Sequence, residues 1–158
     1  MTRPLFPKRE RTIMKNLGIY IHIPFCVKKC NYCDFISFSN KENLVDKYIE
    51  TLKQEIKSYK INKEEYLVST IYFGGGTPSY IKSKYIIDIL KTVKQKFKIS
   101  ENAEITIEVN PGTVNEEKLK DYYNSGINRI SFGLQSTNNE LLKLIGRIHN
   151  YCTFLERI

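Results

Sequence analysis

Three of the four cysteines stand close together in the chain, at Cys26, Cys30 and Cys33. Their spacing, C-x3-C-x2-C, puts three thiols on one loop, where they can converge on a single soft metal centre without help from the rest of the fold. Four such ligands would close the site, whereas three leave one coordination position open. The motif therefore predicts a metal centre that can bind a further ligand.

Three kinds of site remain open for these cysteines. A disulfide with a spare thiol is disfavoured, because the composition is that of an intracellular protein and no secretory signal precedes the motif. A zinc site usually shows two C-x2-C pairs or a histidine ligand, but His22 precedes the loop and His149 is remote. An iron–sulfur cluster fits the spacing best.

The residues around the cysteines resemble the radical S-adenosylmethionine (SAM) superfamily. Its motif is C-x3-C-x2-C with an aromatic residue, here Tyr32, before the last cysteine. The run from Tyr20 to Cys26 is similar to the branch containing oxygen-independent coproporphyrinogen III oxidase and the heme chaperone HemW. The resemblance implies that Cys26, Cys30 and Cys33 hold a 4Fe–4S cluster whose fourth iron is chelated by SAM, and that SAM is cleaved reductively.

A glycine triplet follows the second predicted strand, in the run Gly74-Gly75-Gly76-Thr77-Pro78. Consecutive glycines allow a ligand to approach the backbone closely, although an ordinary turn is the alternative. The run is not a phosphate loop, because the Gly-Lys-Ser/Thr ending is absent. Its place at the C-terminal end of a parallel strand favours a ligand site. The resemblance implies that Gly75, Gly76 and Thr77 meet the methionine part of SAM.

Two polar residues, Glu108 and Gln135, stand at the ends of the third and fourth predicted strands. They are predicted to share one face, where a carboxylate and an amide suit ribose hydroxyls and adenine edges. The resemblance matches both to SAM binding, together with Tyr20, Tyr32 and Arg147. Arg147 is expected to pair with the SAM carboxylate or a substrate propionate. Its alternative role is a cation stabilised by a helix dipole.

The remaining histidines and the fourth cysteine give weaker signals. His22 is expected to be a hydrogen-bonded histidine on the polar face rather than a catalytic one. Cys152 is predicted to be a plain buried thiol in a helix, remote from the metal centre. His149 is expected to have a loop or capping role.

Strands and helices alternate along the chain. The predicted strands are Gly18–Ile23, Ser69–Phe73, Glu104–Val109 and Asn128–Leu134. The predicted helices are Asn40–Lys60, Ser83–Lys98, Asn115–Ser125 and Asn138–Ile145, with a further helix starting near Tyr151. Capping boxes are predicted at Ser39/Glu42, Thr113/Glu116 and Thr137/Glu140, and glycine stops at Gly126 and Gly146.

This alternation predicts an α/β fold with parallel strands and right-handed crossovers. Each strand alternates apolar and polar residues, so we expect helices on the apolar face and a polar lumen on the other. A complete (β/α)8 barrel takes about 250 residues. The prediction is a partial (β/α) radical SAM (TIM-like) barrel with about its first four β/α units present.

Composition excludes several classes of protein. The chain has 158 residues, of which 41% are hydrophobic, so a folded core is expected. No apolar run reaches the roughly 18 residues of a membrane span, and no targeting segment is visible, so a cytoplasmic location is expected. The net charge is +8, without the basic aromatic runs of nucleic-acid binding proteins. Residues 1–16 are predicted to be a disordered basic leader, and residues 17–158 a truncated N-terminal part of the radical SAM core.

Two functions follow from the resemblance. The oxidase branch has another cysteine two positions after the last cluster cysteine, where this chain has Phe35, as in the chaperone branch. The prediction is a HemW-like protein that binds SAM and heme and delivers heme, with a membrane-associated protein as a candidate acceptor. The alternative is an oxidase that decarboxylates coproporphyrinogen III. The implied electron donor is a flavodoxin or ferredoxin.

Overall fold

A four-stranded parallel sheet forms the centre of the computed structural model, which describes residues 14–158. The strands are β1 (Lys15–Ile23), β2 (Phe25–Cys26), β3 (Phe38–Ser39), β4 (Tyr66–Gly75), β5 (Ile99–Val109) and β6 (Arg129–Phe132). The main sheet has the order β1-β4-β5-β6, and each neighbouring pair is parallel. Strands β2 and β3 form a separate short pair on either side of the cysteine loop.

Among the described residues, three helices connect the strands of the main sheet and two more follow its last strand. They are α1 (Val45–Ser58), α2 (Ser83–Lys96), α3 (Glu116–Ser125), α4 (Asn139–Leu144) and α5 (Tyr151–Leu155). Helix α1 contacts α2, and α2 contacts α3. Consecutive parallel strands joined by packed helices are the arrangement of a (β/α) barrel wall. Within residues 14–158, no helix has the length and apolar character needed to cross a bilayer.

The hydrophobic core lies between the apolar face of the sheet and the helices. Ile23, Phe73 and Ile107 on successive strands are fully buried, and α2 contributes Ile86 and Ile89. Tyr20, Tyr72 and Glu108 lie on the opposite face, which is only partly covered. The predicted alternation between an apolar and a polar face is therefore present in the sheet.

The first strand begins earlier than predicted. The backbone N–H of Lys15 donates to the Glu65 carbonyl at 2.8 Å, and Lys15 pairs with Tyr66 of β4. Lys15 and Asn16, which the prediction placed in the leader, therefore belong to the sheet. Residues 1–13 of the predicted leader lie outside the described residues, and the division at residue 16 otherwise stays a prediction.

The first helix begins later than predicted. Asn40 has a positive φ of 57°, and a short 3-10 helix at Glu42–Leu44 precedes α1. No side-chain cap bond forms at this end, because the Glu42 carboxylate accepts from the Tyr80 hydroxyl instead. The capping box predicted for Ser39 and Glu42 was therefore wrong, since a tertiary contact holds the glutamate.

Asparagines cap the later helices. Asn115 accepts from the Lys118 N–H at 2.9 Å at the start of α3, and Asn138 accepts from two backbone N–H groups of α4 at 2.9 and 3.2 Å. The caps predicted at Thr113 and Thr137 were wrong, because an asparagine closer to each helix is an equally good cap. The Thr113 hydroxyl is also engaged by Ser79 at 2.6 Å.

Both predicted glycine stops are confirmed. Gly126 has a φ of 98° at the end of α3, and Gly146 has a φ of 78° after α4. These angles lie in the left-handed region, where a glycine carries no side-chain penalty.

Candidate functional site

All the predicted site residues except Tyr20 line one cavity. It has a volume of about 320 Å³ and lies where β4, β5 and β6 end. Ligands bind at this end of the strands in barrel proteins. The predicted residues in its lining are Cys26, Cys30, Tyr32, Cys33, Gly75, Gly76, Thr77, Glu108, Gln135 and Arg147. Lys28, Lys29 and Phe35 also line it, so the mouth is cationic and partly apolar.

The three loop cysteines are free thiols on this cavity, with Cys26 buried and Cys30 and Cys33 half-buried. The Thr77 hydroxyl donates to Cys26 Sγ at 3.4 Å, and Arg147 Nη1 donates to Cys30 Sγ at 3.4 Å. Donors of this kind stabilise negative charge on sulfur, as metal ligation requires.

In residues 14–158, no three His, Cys, Asp or Glu side chains are arranged to hold a metal ion as they stand. The donor set of three soft thiols on one cavity nevertheless suits an iron–sulfur cluster. Each cysteine of a 4Fe–4S cluster binds a different iron, so the three thiols need not converge on a single point.

Close packing explains the glycine triplet. A Cβ on Gly76 would lie 2.9 Å from Cys26 Sγ, and a Cβ on Gly75 would lie 2.7 Å from the His22 ring. Gly75 also has a φ of 115°. The Gly76 N–H donates to the Ile23 carbonyl at 2.9 Å, which joins the glycine loop to the end of β1. Glycine is needed here because β4 ends against His22 and the cysteine loop.

Both oxygens of Glu108 are held by neighbours. Tyr72 donates to Oε1 at 2.8 Å, and the Gly75 N–H donates to Oε2 at 3.2 Å. Burial, followed by the hydrogen bond to Glu108, raises the pKa of Tyr72, so its hydroxyl stays a donor at neutral pH. Sequence reasoning did not assign Tyr72 a role, although the alternation of β4 places it on the polar face.

Tyr20 lies beside the cavity rather than on it. Its ring stacks on Tyr72 with centroids 6.1 Å apart, and 57% of the residue is exposed. His22 Nε2 lies 2.8 Å from the Ile36 carbonyl, to which it must donate, and in the neutral ring Nδ1 then accepts from the Tyr20 hydroxyl at 3.2 Å. His22 is thus a hydrogen-bonded histidine of the polar face, as predicted.

Arg147 bridges the cysteine loop and the end of β6. Its Nη1 donates to the Tyr32 hydroxyl at 3.3 Å, and its Nη2 donates to the Gly133 carbonyl at 2.6 Å. Its Nε is buried and has no partner in the described part of the chain. Burial raises the pKa of Tyr32, and the Arg147 cation partly offsets that shift. The guanidinium is therefore directed at the cavity and the cysteines.

Gln135 lies in the loop beyond β6, which ends at Phe132 and not at Leu134 as predicted. It has a φ of 70°, and its side chain is exposed at the cavity rim. A left-handed conformation costs a residue other than glycine about 1 kcal/mol or more and is common at ligand sites.

His149 was not assigned a site role from sequence, yet it is buried beside the cavity wall. Its Nδ1 lies 3.1 Å from Asn110 Oδ1, and its Nε2 lies 3.2 Å from the Leu134 carbonyl. Burial, with the Arg147 cation, lowers the pKa of His149. The ring ties together the loops after β5 and β6. The sequence did offer one sign that His149 lies near the site, because it stands two residues after Arg147.

Cys152 is exposed, so the prediction of a buried thiol was wrong. Helix α5 is short and packs through Phe154, whose ring meets Phe132 edge-on at 5.7 Å between centroids. Phe154 takes the inward position, and Cys152 faces solvent.

Comparison with known proteins identifies similar chains. The profile of the radical SAM superfamily matches residues 20–158. The heme chaperone HemW of Haemophilus influenzae is 41% identical over 139 residues, which are 85% of this chain and 36% of that protein. HemW of Escherichia coli is 42% identical over 134 residues, which are 84% of this chain and 35% of that protein.

A solved structure is also similar. Coproporphyrinogen III oxidase (HemN) from Escherichia coli, described as a radical SAM enzyme, matches with a TM-score of 0.79 and 31% identity, over 89% of this chain and 32% of that one. This match confirms the predicted α/β fold class and the partial barrel. The chain spans about a third of the length of the relatives it matches.

Proposed function

Because this chain belongs to the radical S-adenosylmethionine superfamily, we propose that Cys26, Cys30 and Cys33 hold a 4Fe–4S cluster and that the adjoining cavity binds SAM. The observation that carries this proposal is the lining of a single cavity by the three thiols, the glycine loop and Glu108. When bound, the cluster and SAM supply the reductive cleavage of a carbon–sulfur bond in SAM.

The residues of the cavity have separate tasks in this proposal. Glu108, held at both oxygens, accepts hydrogen bonds from hydroxyl or ammonium groups of SAM without first reorganising. Arg147 has a buried Nε without a partner among residues 14–158, and its cation suits a carboxylate. Gly75 and Gly76 pack against His22 and Cys26, which places their backbone in the lining of the SAM cavity. Gln135 supplies an amide at the rim.

For the whole protein, we propose a HemW-like function, in which the SAM-binding protein also binds heme and delivers it. The similarity to two HemW proteins at 41% and 42% identity supports this function. Phe35 supports it too, because it lines the cavity and 62% of it is exposed, at the position that carries a cysteine in the oxidase branch. A flavodoxin or ferredoxin as electron donor and a membrane-associated heme acceptor belong to the same proposal.

The alternative function is oxidative decarboxylation of coproporphyrinogen III. It is favoured by the structural match to HemN, at a TM-score of 0.79. Lys28, Lys29 and Arg147 give the cavity the cationic character that propionate groups of a porphyrinogen would require.

The experiment compares heme binding and turnover in the full-length protein. After anaerobic reconstitution with iron and sulfide, heme is titrated and followed by its absorbance. Carbon dioxide release from coproporphyrinogen III with labelled propionates is then measured with SAM and a reductant. A known oxidase in the same mixture is the positive control. We expect saturable heme binding and no release of carbon dioxide.

A Phe35→Cys variant tests the position that separates the two branches. We expect it to keep the cluster and heme binding and to remain inactive in decarboxylation, because one thiol does not rebuild a substrate site. Release of carbon dioxide by the unmodified protein at a rate near that of the control would contradict the chaperone function and establish the alternative.

A further inference from the structure

Asn31, inside the cysteine motif, makes two hydrogen bonds to a distant part of the chain. Its side-chain Nδ2 donates to the Leu144 carbonyl at 2.8 Å, and its backbone N–H donates to the Ile145 carbonyl at 3.0 Å. Leu144 is the last residue of α4, and Ile145 is its C-cap. The last carbonyls of a helix have no donors within the helix, so Asn31 supplies donors from outside.

The turn after α4 is shaped to receive Asn31. Gly146 has a φ of 78°, and a Cβ there would lie 3.1 Å from Asn31 Oδ1 and 3.4 Å from the Asn31 backbone nitrogen. A side chain at this position would therefore crowd Asn31 as well as strain the backbone. Arg147, the next residue, reaches back to Cys30 Sγ and the Tyr32 hydroxyl.

The two halves of the cysteine motif are held by different parts of the protein. Cys26 lies in β2, pairs with Ser39 and packs under Gly76. The half from Cys30 to Cys33 has one internal turn bond, from the Cys33 N–H to the Cys30 carbonyl at 3.1 Å. Asn31 and Arg147 supply its hydrogen bonds to the turn after α4.

We propose that Asn31 is a positioning residue for the metal centre. By binding the carbonyl end of α4, it holds Cys30 and Cys33 opposite Cys26 before a cluster is inserted, and it slows loss of the cluster afterwards. This role rests on the proposed function, but its first consequence, the accessibility of the thiols in the metal-free protein, can be measured without any cluster.

The test uses the full-length protein with Asn31→Ala and with Asn31→Asp, which keeps the side-chain size but loses the amide donor. Asn124→Ala, at an exposed asparagine on α3, is the matched control. In the reduced metal-free protein, the alkylation rate of each cysteine is measured by mass spectrometry. The exposed Cys152 serves as the internal reference. The rate at which a chelator bleaches the reconstituted cluster is measured next.

We expect both Asn31 variants to raise the alkylation rates of Cys30 and Cys33 by about three- to tenfold, the effect of losing a hydrogen bond of ordinary strength. The rate at Cys26 should stay unchanged, and the chelator should bleach the cluster faster by a similar factor. Asn124→Ala should behave as the unmodified protein.

Three results would overturn the role of Asn31. The first is unchanged alkylation in both variants. The second is an equal rise at Cys26, which would mean general loosening. The third is faster alkylation without faster bleaching. If no cluster forms in any protein while Cys30 and Cys33 become more reactive, the result supports the anchoring of the loop by Asn31 and counts against the proposed function.

Discussion

At the scale of single residues, the side chains that line the cavity are oriented by hydrogen bonds from neighbouring groups. Glu108 is a partly exposed carboxylate whose orientation is set by the Tyr72 hydroxyl and the Gly75 N–H. Fixed groups bind a ligand without the free-energy cost of ordering them first. Residues that do not line the cavity should therefore still affect the affinity with which it binds a ligand.

Tyr72→Phe should weaken SAM binding by about three- to tenfold, because it removes one hydrogen bond that orients Glu108. Glu108→Ala should weaken binding further, since it removes the carboxylate itself. Binding is measured by equilibrium dialysis on the full-length reconstituted protein. Tyr123→Phe, at a tyrosine that is 78% exposed, is the control. Equal affinities in Tyr72→Phe and the control would contradict the orienting role.

Each of Cys26→Ala, Cys30→Ala and Cys33→Ala should abolish the visible absorbance of the reconstituted cluster, because each removes one thiolate ligand. Cys152→Ala should leave the absorbance unchanged, since this thiol is exposed on α5 and does not line the cavity. Iron and zinc are quantified in parallel. Stoichiometric zinc without iron would disprove the iron–sulfur assignment.

The buried His149 should make stability fall in mild acid. Its pKa is lowered in the folded protein, mainly by burial, so the unfolded chain binds a proton more readily. Its contribution is therefore fully present above the unfolded pKa of about 6.5 and is lost as the pH falls through the lower folded value. Thermal melting between pH 5 and 8 should show this loss, and His149→Gln should reduce it. The same acid dependence in the variant would assign the effect to other groups.

At the scale of elements, the caps decide where α3 and α4 begin. Asn138→Ala should lower the free energy of unfolding by about 1 kcal/mol, because two N–H groups of α4 lose their acceptor. Thr137→Ala is the matched control and should change little, although the sequence pattern points to Thr137 as the cap. Urea denaturation measures both. A larger loss in Thr137→Ala would show that the threonine is the cap.

At the scale of the whole molecule, β1 and β6 are the edge strands of the described sheet. Exposed apolar residues follow β6 at Leu141, Leu144 and Leu155. Residues 1–158 expressed by themselves should therefore self-associate, through an unpaired strand edge and uncovered apolar surface. Light scattering over a range of concentrations measures this. A monomer that melts in one sharp transition would contradict the prediction.

Local sequence patterns predicted the main strands and helices and the strand ends that border the cavity. The alternation of Ile105, Thr106, Ile107 and Glu108 indicates one buried and one polar face, because successive side chains of a strand point to opposite sides. The cysteine spacing and the glycine triplet likewise predicted which loops carry the site. These patterns involve only residues that are close together in the chain, and they can therefore be read from the sequence.

Contacts between residues that are far apart in the chain are visible only in the tertiary structure. Asn31 meets the end of α4, Tyr72 meets Glu108, and His149 lies between Asn110 and the Leu134 carbonyl. The start of α1 was misplaced for the same reason, since the Glu42 carboxylate accepts from the remote Tyr80 hydroxyl instead of capping the helix. By itself, the sequence determined the kinds of residue available to the site. The tertiary packing of the loops that follow the four strands of the main sheet determines which of these residues are in contact. Hydrogen bonds across a cavity depend on relative positions that no local pattern encodes.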